Sequence, residues 1–262
     1  MESVDLQDLQ KSVKVVIPSR GRADTIAQQS LRLFPYATVT VDEEEVDAYA
    51  QVMPREQILP HPPLGGLVGI TNWIFDNVKS EFLYTIYDDI IGVRCLVGWR
   101  VRFYDDPAAI AGLLETTAVC ARDAGAFLFG FGHHMNKPFY PQTKPFKLNG
   151  YVRNIMGYRE GHGLRYDPDC PLHDDVDVAL QSLLKHRIMW RDDRWCFDSA
   201  PLGTNKGGQV GRRTAAKLQA ADEAIVNKWG SHVRVENRRP NFGRGKSNTT
   251  ATVMRVPRTQ PL

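Results

Sequence analysis

Two acidic clusters in this chain have the residue types and setting for group-transfer chemistry. Asp88 and Asp89 directly follow Glu81-Phe82-Leu83-Tyr84-Thr85-Ile86-Tyr87, a largely apolar run with the composition of a buried strand. Open α/β sheets place their ligands at the carboxyl ends of strands. Carboxylates there supply the hard oxygen ligands that Mg2+ or Mn2+ takes. Such a cation, bridging the two phosphates of a nucleoside diphosphate, offsets the charge that develops as the diphosphate leaves. Asp89 is the first candidate metal ligand, and Asp88 is a candidate both for the metal and for the nucleotide. The plainer alternative is a turn, or a cap on a following helix. The second cluster is His173-Asp174-Asp175-Val176-Asp177, which opens a predicted helix running to about residue 185. A transferase that inverts a sugar carbon needs a carboxylate base for the acceptor hydroxyl. Asp175 is the first choice for that base and Asp174 the second, while Asp177 reads as solvent-facing helix surface. Acids at a helix start also serve simply to offset its dipole.

Weaker signals surround these two. Ser19-Arg20-Gly21-Arg22 follows the first predicted strand, so Pro18, Ser19, Arg20 and Arg22 are candidate nucleotide contacts through backbone N–H groups and guanidinium forks. Asp42, at the end of the second strand, could accept hydrogen bonds from a ribose or base, as a strand-end acid does in dinucleotide-binding folds. The glycine-rich cationic loop at 203–213, with Lys206 and Gly207, could close over a diphosphate, although it lacks the order of a P-loop. His133 and His134 are adjacent on a strand end and so face opposite ways, which suits contact with a substrate better than one shared ion. His232 is a candidate late metal ligand.

The elements that must hold these residues read as strand 13–18, helix 23–34, strand 37–41, a short strand at 58–60, helix 67–78, strand 81–87, helix 107–124 and strand 127–132. A short strand within 150–158, a helix from 173, short strands at 188–190 and 195–197 and a helix over 214–229 complete the list. The strand–helix–strand opening predicts a parallel sheet. The expected class is α/β, a Rossmann-like mixed sheet flanked by helices, over residues 1–233, followed by a basic, extended or mobile tail at 234–262.

Composition sets outer bounds. The 262 residues carry a formal charge of only +3, so any polyanion must be met by a local patch. Cys95, Cys120, Cys170 and Cys196 have neither zinc-site spacing nor that of a disulfide framework, which points to reduced thiols in the cytoplasm. Residues 1–12 lack the apolar core of a secretory signal, and no apolar run is long enough to span a membrane.

Val15-Val16-Ile17-Pro18-Ser19-Arg20-Gly21-Arg22, Ile86-Tyr87-Asp88-Asp89 and His173-Asp174-Asp175 occur in the order found in GT-A glycosyltransferases. They resemble, in turn, the nucleotide-binding strand and loop, the DxD metal region and the acidic motif that holds the base in inverting members. Residues 66–72 resemble the helix start that faces the donor in that superfamily. Within it, the chain looks most like the TET/JBP-associated glycosyltransferases of bacteriophages. That resemblance implies a UDP-sugar donor, Mn2+ or Mg2+, and 5-hydroxymethylcytosine or a related hydroxymethylpyrimidine in DNA as acceptor, in a phage-infected cell. Tyr87 stands where a DxD motif has its leading acid.

Two further features suit DNA. Arg234, Arg238, Arg239, Arg244, Lys246, Arg255 and Arg258 crowd the last 30 residues, where they could bind phosphates. Tyr140, Phe146, Tyr151 and Tyr158 lie among Lys144, Lys147 and Arg153, a mixture that suits base stacking. Alternatives are a GT-A enzyme with a glycan or protein acceptor, a DNA-binding module that keeps the fold without catalysis, and, more distantly, a nucleotidyltransferase.

Overall fold

The computed structural model describes residues 12–97, 100–132, 144–170, 172–201, 214–237, 250–254 and 256. Its first strand, β1 (Val13–Pro18), is buried everywhere except Lys14. Such a run belongs inside a sheet covered on both faces. Accordingly β1 lies between β2 (Thr38–Asp42) and β4 (Phe82–Ile86), parallel to both, and β3 (Ile58–His61) extends the parallel part beyond β2. Past β4 the sheet becomes mixed. β9 (Ile155–Arg159) runs antiparallel between β4 and β7 (Leu128–Gly132), and β10 (Trp190–Ser199) runs parallel to β7. β5 (Ile90–Val97) and β6 (Arg100–Tyr104) form an antiparallel pair beside β10. The order is β3-β2-β1-β4-β9-β7-β10-β5-β6, with β8 (Phe146–Lys147) also pairing β10.

The helices are α1 (Ser30–Leu33), α2 (Val46–Tyr49), α3 (Leu67–Asn77), α4 (Pro107–Asp123), α5 (Asp174–His186) and α6 (Ala215–Trp229). Side chains on a strand alternate between faces, and that alternation sorts the core. Val13, Val15, Ile17, Phe82, Tyr84 and Ile86 share one cluster with Ile110, Leu114, Ala118 and Ala121 of α4. Val16 and Leu83 turn the other way, into a cluster with Ile70 and Ile74 of α3 and Val178 and Leu183 of α5. α4 starts where Asp106 accepts a bond from Ala108 N and Pro107 takes the first turn. Gly157 lies opposite Phe129 across the β7–β9 pair, and a Cβ there would come within 2.1 Å of the Phe129 ring. Only glycine lets those two strands close.

Several sequence expectations need correction. The expected helix at 23–34 is a 3-10 turn (Ile26–Gln28) followed by the single turn of α1. The expected strands at 188–190 and 195–197 are one strand, β10, with a register shift between Asp192 and Cys196. The charged Arg191-Asp192-Asp193-Arg194 stretch reads as a loop, yet its charges cancel locally. Arg191 pairs with Asp193 at 2.7 Å and Arg194 with Asp192 at 2.7 Å, so both acids can be buried. In the expected tail, β11 (Val233–Asn237) pairs antiparallel with β12 (Thr250–Met254). Val233 is buried against α5 and α6 residues, with Val235, Met254 and Val256 packed onto that cluster.

Asp177 is not solvent-facing. It has 0 % exposure, accepts from Trp229 Nε1 at 2.8 Å and Gln181 Nε2 at 2.8 Å, and pairs with Lys228 Nζ at 2.7 Å. It therefore ties α5 to α6. Asp177→Ala leaves the Trp229 indole N–H without its acceptor and Lys228 with Asp167 alone, and is expected to cost about 2 kcal/mol of stability. Denaturant unfolding reads this, and a loss below about 1 kcal/mol would show the tie to be dispensable.

Candidate functional site

The site is assembled at the carboxyl edge of the parallel strands. The turn after β4 is held at both ends. Tyr87 N donates to Asn154 O at 2.9 Å and Ala200 N donates to Asp89 O at 2.8 Å. Ser30 Oγ donates to Tyr87 O at 2.6 Å and accepts from Ile90 N at 2.9 Å, spanning the Asp88–Asp89 pair with one hydroxyl. The main chain needs no help from the two carboxylates, which face the turn after β1 instead. Neither serves as a helix cap.

Asp88 is buried. Its Oδ2 accepts from Ser19 Oγ at 2.7 Å, and its Oδ1 pairs with Arg22 Nη1. The same guanidinium nitrogen lies 3.5 Å from Asp89 Oδ2. Tyr49 Oη lies 2.7 Å from Ser19 Oγ and accepts from Arg22 N at 3.1 Å. Ser19 has one proton and gives it to Asp88, so Tyr49 donates to Ser19. Burial, the largest influence, pushes the Tyr49 phenol up to about 12 and keeps it a donor. Gly21, at φ 62°, sends its N–H to Glu45 Oε2 at 2.7 Å. Pro18 is buried at the end of β1, while Arg20 is exposed on the turn. Asp42 caps the turn Glu43–Glu45 by accepting from Glu44 N at 3.3 Å.

Burial also raises the Asp88 carboxyl from 3.8 to about 6, against the opposing pull of Arg22 and Ser19. An acid raised in the folded state holds a proton that the unfolded chain has already released. Its contribution to stability is therefore greatest at low pH and falls as pH rises from about 4 to about 6. The stability difference between wild type and Asp88→Asn is expected to move against wild type by about 3 kcal/mol across that window. Unfolding at several pH values checks this, and parallel pH profiles would refute it.

A divalent cation fits Asp89, whereas both oxygens of Asp88 are already taken by Ser19 and Arg22. Asp89 Oδ1 is buried without a hydrogen-bond partner, an expensive state for a carboxylate oxygen unless a cation meets it. Among the described residues no cluster of three or more His, Cys, Asp or Glu could hold a metal, so the remaining ligands would come from a diphosphate and water. His232 sits in the turn Gly230–His232 beyond α6, outside any such cluster.

The second acidic motif begins α5 on the face of the sheet that carries α3. Asp174 is buried, and the half-buried Asp175 accepts from Val176 N at 2.8 Å. Burial holds the Tyr158 phenol well above its ordinary value, with the charges of Asp174 and Asp175 adding slightly; its hydroxyl also meets Thr85 of β4 and lies 2.6 Å from Tyr166 Oη. Burial likewise raises the Tyr166 phenol. His173 does not cap α5 through its side chain, and its Nε2 lies 2.6 Å from Asp222 Oδ1 of α6.

Tyr49, Ser30 and Glu45 escaped sequence reasoning. Glu45 belonged to a visible acidic run, while Tyr49 and Ser30 carried no local signal. Tyr158 is core, fully buried, and so cannot stack on bases from where it stands. Lys206, Gly207, His133, His134 and Tyr140 lie outside the described residues. The four cysteines are free, and no helix among the described residues is long and apolar enough to cross a membrane.

The parallel strands, the mixed extension and the edge turns define a GT-A-like α/β fold. Among solved structures, the chain is similar to S. aureus TarS 1-349 in complex with UDP-GlcNAc, with a TM-score of 0.50, 10% identity, and coverage of 82% of this chain and 67% of that one. A second structure of TarS 1-349 gives a TM-score of 0.45 at 11% identity, covering 84% and 72%. Mannose-1-phosphate geranyltransferase from Thermus thermophilus gives 0.45 at 12% identity, covering 71% and 75%. No protein-family model matches the chain, and no curated protein matches it by sequence.

Proposed function

We propose that the protein is a metal-dependent, inverting glycosyltransferase that moves a sugar from a UDP-sugar to the hydroxymethyl group of 5-hydroxymethylcytosine, or a related hydroxymethylpyrimidine, in DNA. The observation that carries the transferase reading is the convergence of the β1 turn and the β4 end on buried carboxylates, with Asp89 Oδ1 left for a cation. The GT-A-like fold, and a similar structure that holds UDP-GlcNAc, support a nucleotide-sugar donor. The DNA acceptor rests on the sequence resemblance and on the cationic residues described above.

In this reading Asp89, with Asp88 beside it, would hold Mn2+ or Mg2+, which when bound would offset the charge on the leaving diphosphate. Pro18, Ser19, Arg20, Arg22 and Asp42 contact the nucleotide, and Lys206 and Gly207, outside the described residues, are further candidate contacts to its phosphates. Asp175 takes the proton of the acceptor hydroxyl as its oxygen bonds to the anomeric carbon. The bond from that carbon to the diphosphate oxygen breaks, and its electron pair leaves with UDP. Asp175 suits this role better than Asp174 because it is only half-buried and can meet an acceptor.

The test incubates the protein with Mn2+, a panel of UDP-sugars and 5-hydroxymethylcytosine DNA, followed by nucleoside mass spectrometry. A hexose or pentose mass on the modified nucleoside is expected. UDP release with no mass added to the nucleoside would overturn the DNA acceptor, and absence of both transfer and UDP release would overturn the enzyme reading.

A further inference from the structure

The turn before β9 holds an arginine, Arg153, that the site does not use. Its neighbour Asn154, at φ 66°, takes the left-handed conformation that asparagine tolerates better than most residues. The Asn154 carbonyl accepts from Tyr87 N at 2.9 Å, and its Nδ2 donates to Phe197 O at 3.4 Å. The turn thus joins the residue before Asp88 to the end of β10. Phe197 points into the cluster under α4, so Cys196 and Asp198 face the other side of the sheet, the side of α3 and α5. Arg94 stands opposite Cys196 in the β5–β10 register, on that same side, and pairs with Asp198. Burial pushes the Cys196 thiol up to about 11, and the charges of Asp198, Arg94 and Arg153 all reach it.

This group of two arginines has one aspartate, and Arg94 holds it. The other acids of β10, Asp192 and Asp193, pair with Arg194 and Arg191. Every acid beyond Asp8 lies among the described residues, and none of them pairs with Arg153. Arg153 Nε is buried without a hydrogen-bond partner, and so is Arg94 Nε. A half-buried guanidinium without an internal counter-charge is costly unless a ligand brings one. Guanidinium groups carry only donors, so the missing partner is an anion rich in acceptor oxygens.

We propose that Arg153, with Arg94, forms an oxyanion site that takes a phosphate of one of the two substrates. The proposal rests on the glycosyltransferase reading and adds a binding residue to it. Phosphate suits the guanidinium fork, which can meet two of its oxygens at once. Both substrates in that reading carry phosphate, the donor as a diphosphate and DNA as a phosphodiester backbone.

The test measures, on the full chain with Mn2+, the affinity for UDP by calorimetry and for a labelled single-stranded 5-hydroxymethylcytosine oligonucleotide by fluorescence anisotropy. The same oligonucleotide with a neutral methylphosphonate backbone is the control. Arg153→Gln is expected to weaken one of the two affinities about tenfold, the effect of one lost hydrogen bond to a charged group. A loss confined to UDP assigns the donor diphosphate. A loss confined to the phosphodiester oligonucleotide, with the methylphosphonate form unaffected, assigns the acceptor backbone. Arg153→Lys, which keeps the charge without the fork, is expected to restore only part of the loss. The melting temperature of ligand-free Arg153→Gln is expected to hold or rise, because no internal partner is lost. Unchanged affinities for both ligands would overturn the proposal, and a fall in melting temperature alongside them would show a structural arginine. An equal loss on the methylphosphonate oligonucleotide would also overturn it, since the contact would not be to phosphate. Weakened UDP binding in Arg153→Gln, with no mass added to the nucleoside by wild type, would uphold this site and sink the DNA acceptor. Sugar transfer to DNA with both affinities unchanged in the variant would do the reverse.

Discussion

Asp175→Asn is expected to lower sugar transfer by at least about a hundredfold, the lower end of what a positioned general base supplies. Binding of the UDP-sugar should be unaffected, because the amide keeps the shape of the side chain and can still accept from Val176 N. The paired measurement is steady-state transfer and calorimetric donor titration on the same preparation. Asp174→Asn is the informative companion. Asp174 is buried close to the Tyr158–Tyr166 pair, so its loss should act mainly on stability. If Asp174→Asn abolishes turnover in a folded protein while Asp175→Asn does not, the two roles are exchanged. If neither variant slows transfer, the helix start serves only to complement its dipole.

Asp89→Ala is expected to weaken Mn2+-dependent donor binding by at least about tenfold, since even the partners that orient metal ligands are commonly worth that much. Two features make Asp89 the sharper choice. Its Oδ1 has no hydrogen-bond partner, whereas Asp88 is already engaged by Ser19 and Arg22. Asp88→Ala also leaves the Arg22 guanidinium without its nearest counter-charge, so lost binding there would mix folding with ligation. UDP titrations with Mn2+ and with chelator separate the two carboxylates. An Asp89→Ala variant that keeps the full difference between those conditions contradicts its role as a ligand.

The central sheet was legible because its strands are local signals. The runs 13–18 and 82–86 are nearly continuous in apolar residues, and each ends at a residue that cannot extend the buried strand, Pro18 in one case and the Asp88–Asp89 turn in the other. The amphipathic α4 announced its start with Asp106-Pro107. The β5–β6 hairpin was missed although its Ile90–Val97 run is itself a local strand signal. The other failures depended on distant partners. Arg191 to Arg194 reads as polar until its four charges are seen to neutralise each other. Asp177 reads as surface until Lys228 and Trp229, some fifty residues away, arrive to satisfy it. The same holds for the site. Paired carboxylates at a strand end can be read from sequence, but Ser30 and Tyr49 become visible only when α1 and α2 bring them beside the turns they hold.

The most direct test of the account is a crystal of the protein grown with UDP and Mn2+, measured for anomalous scattering. A manganese peak is expected at Asp89, on the side of its unpartnered Oδ1, next to the UDP diphosphate, with the nucleoside against Pro18, Ser19 and Asp42. UDP bound elsewhere, or manganese bound away from Asp89, would contradict the account.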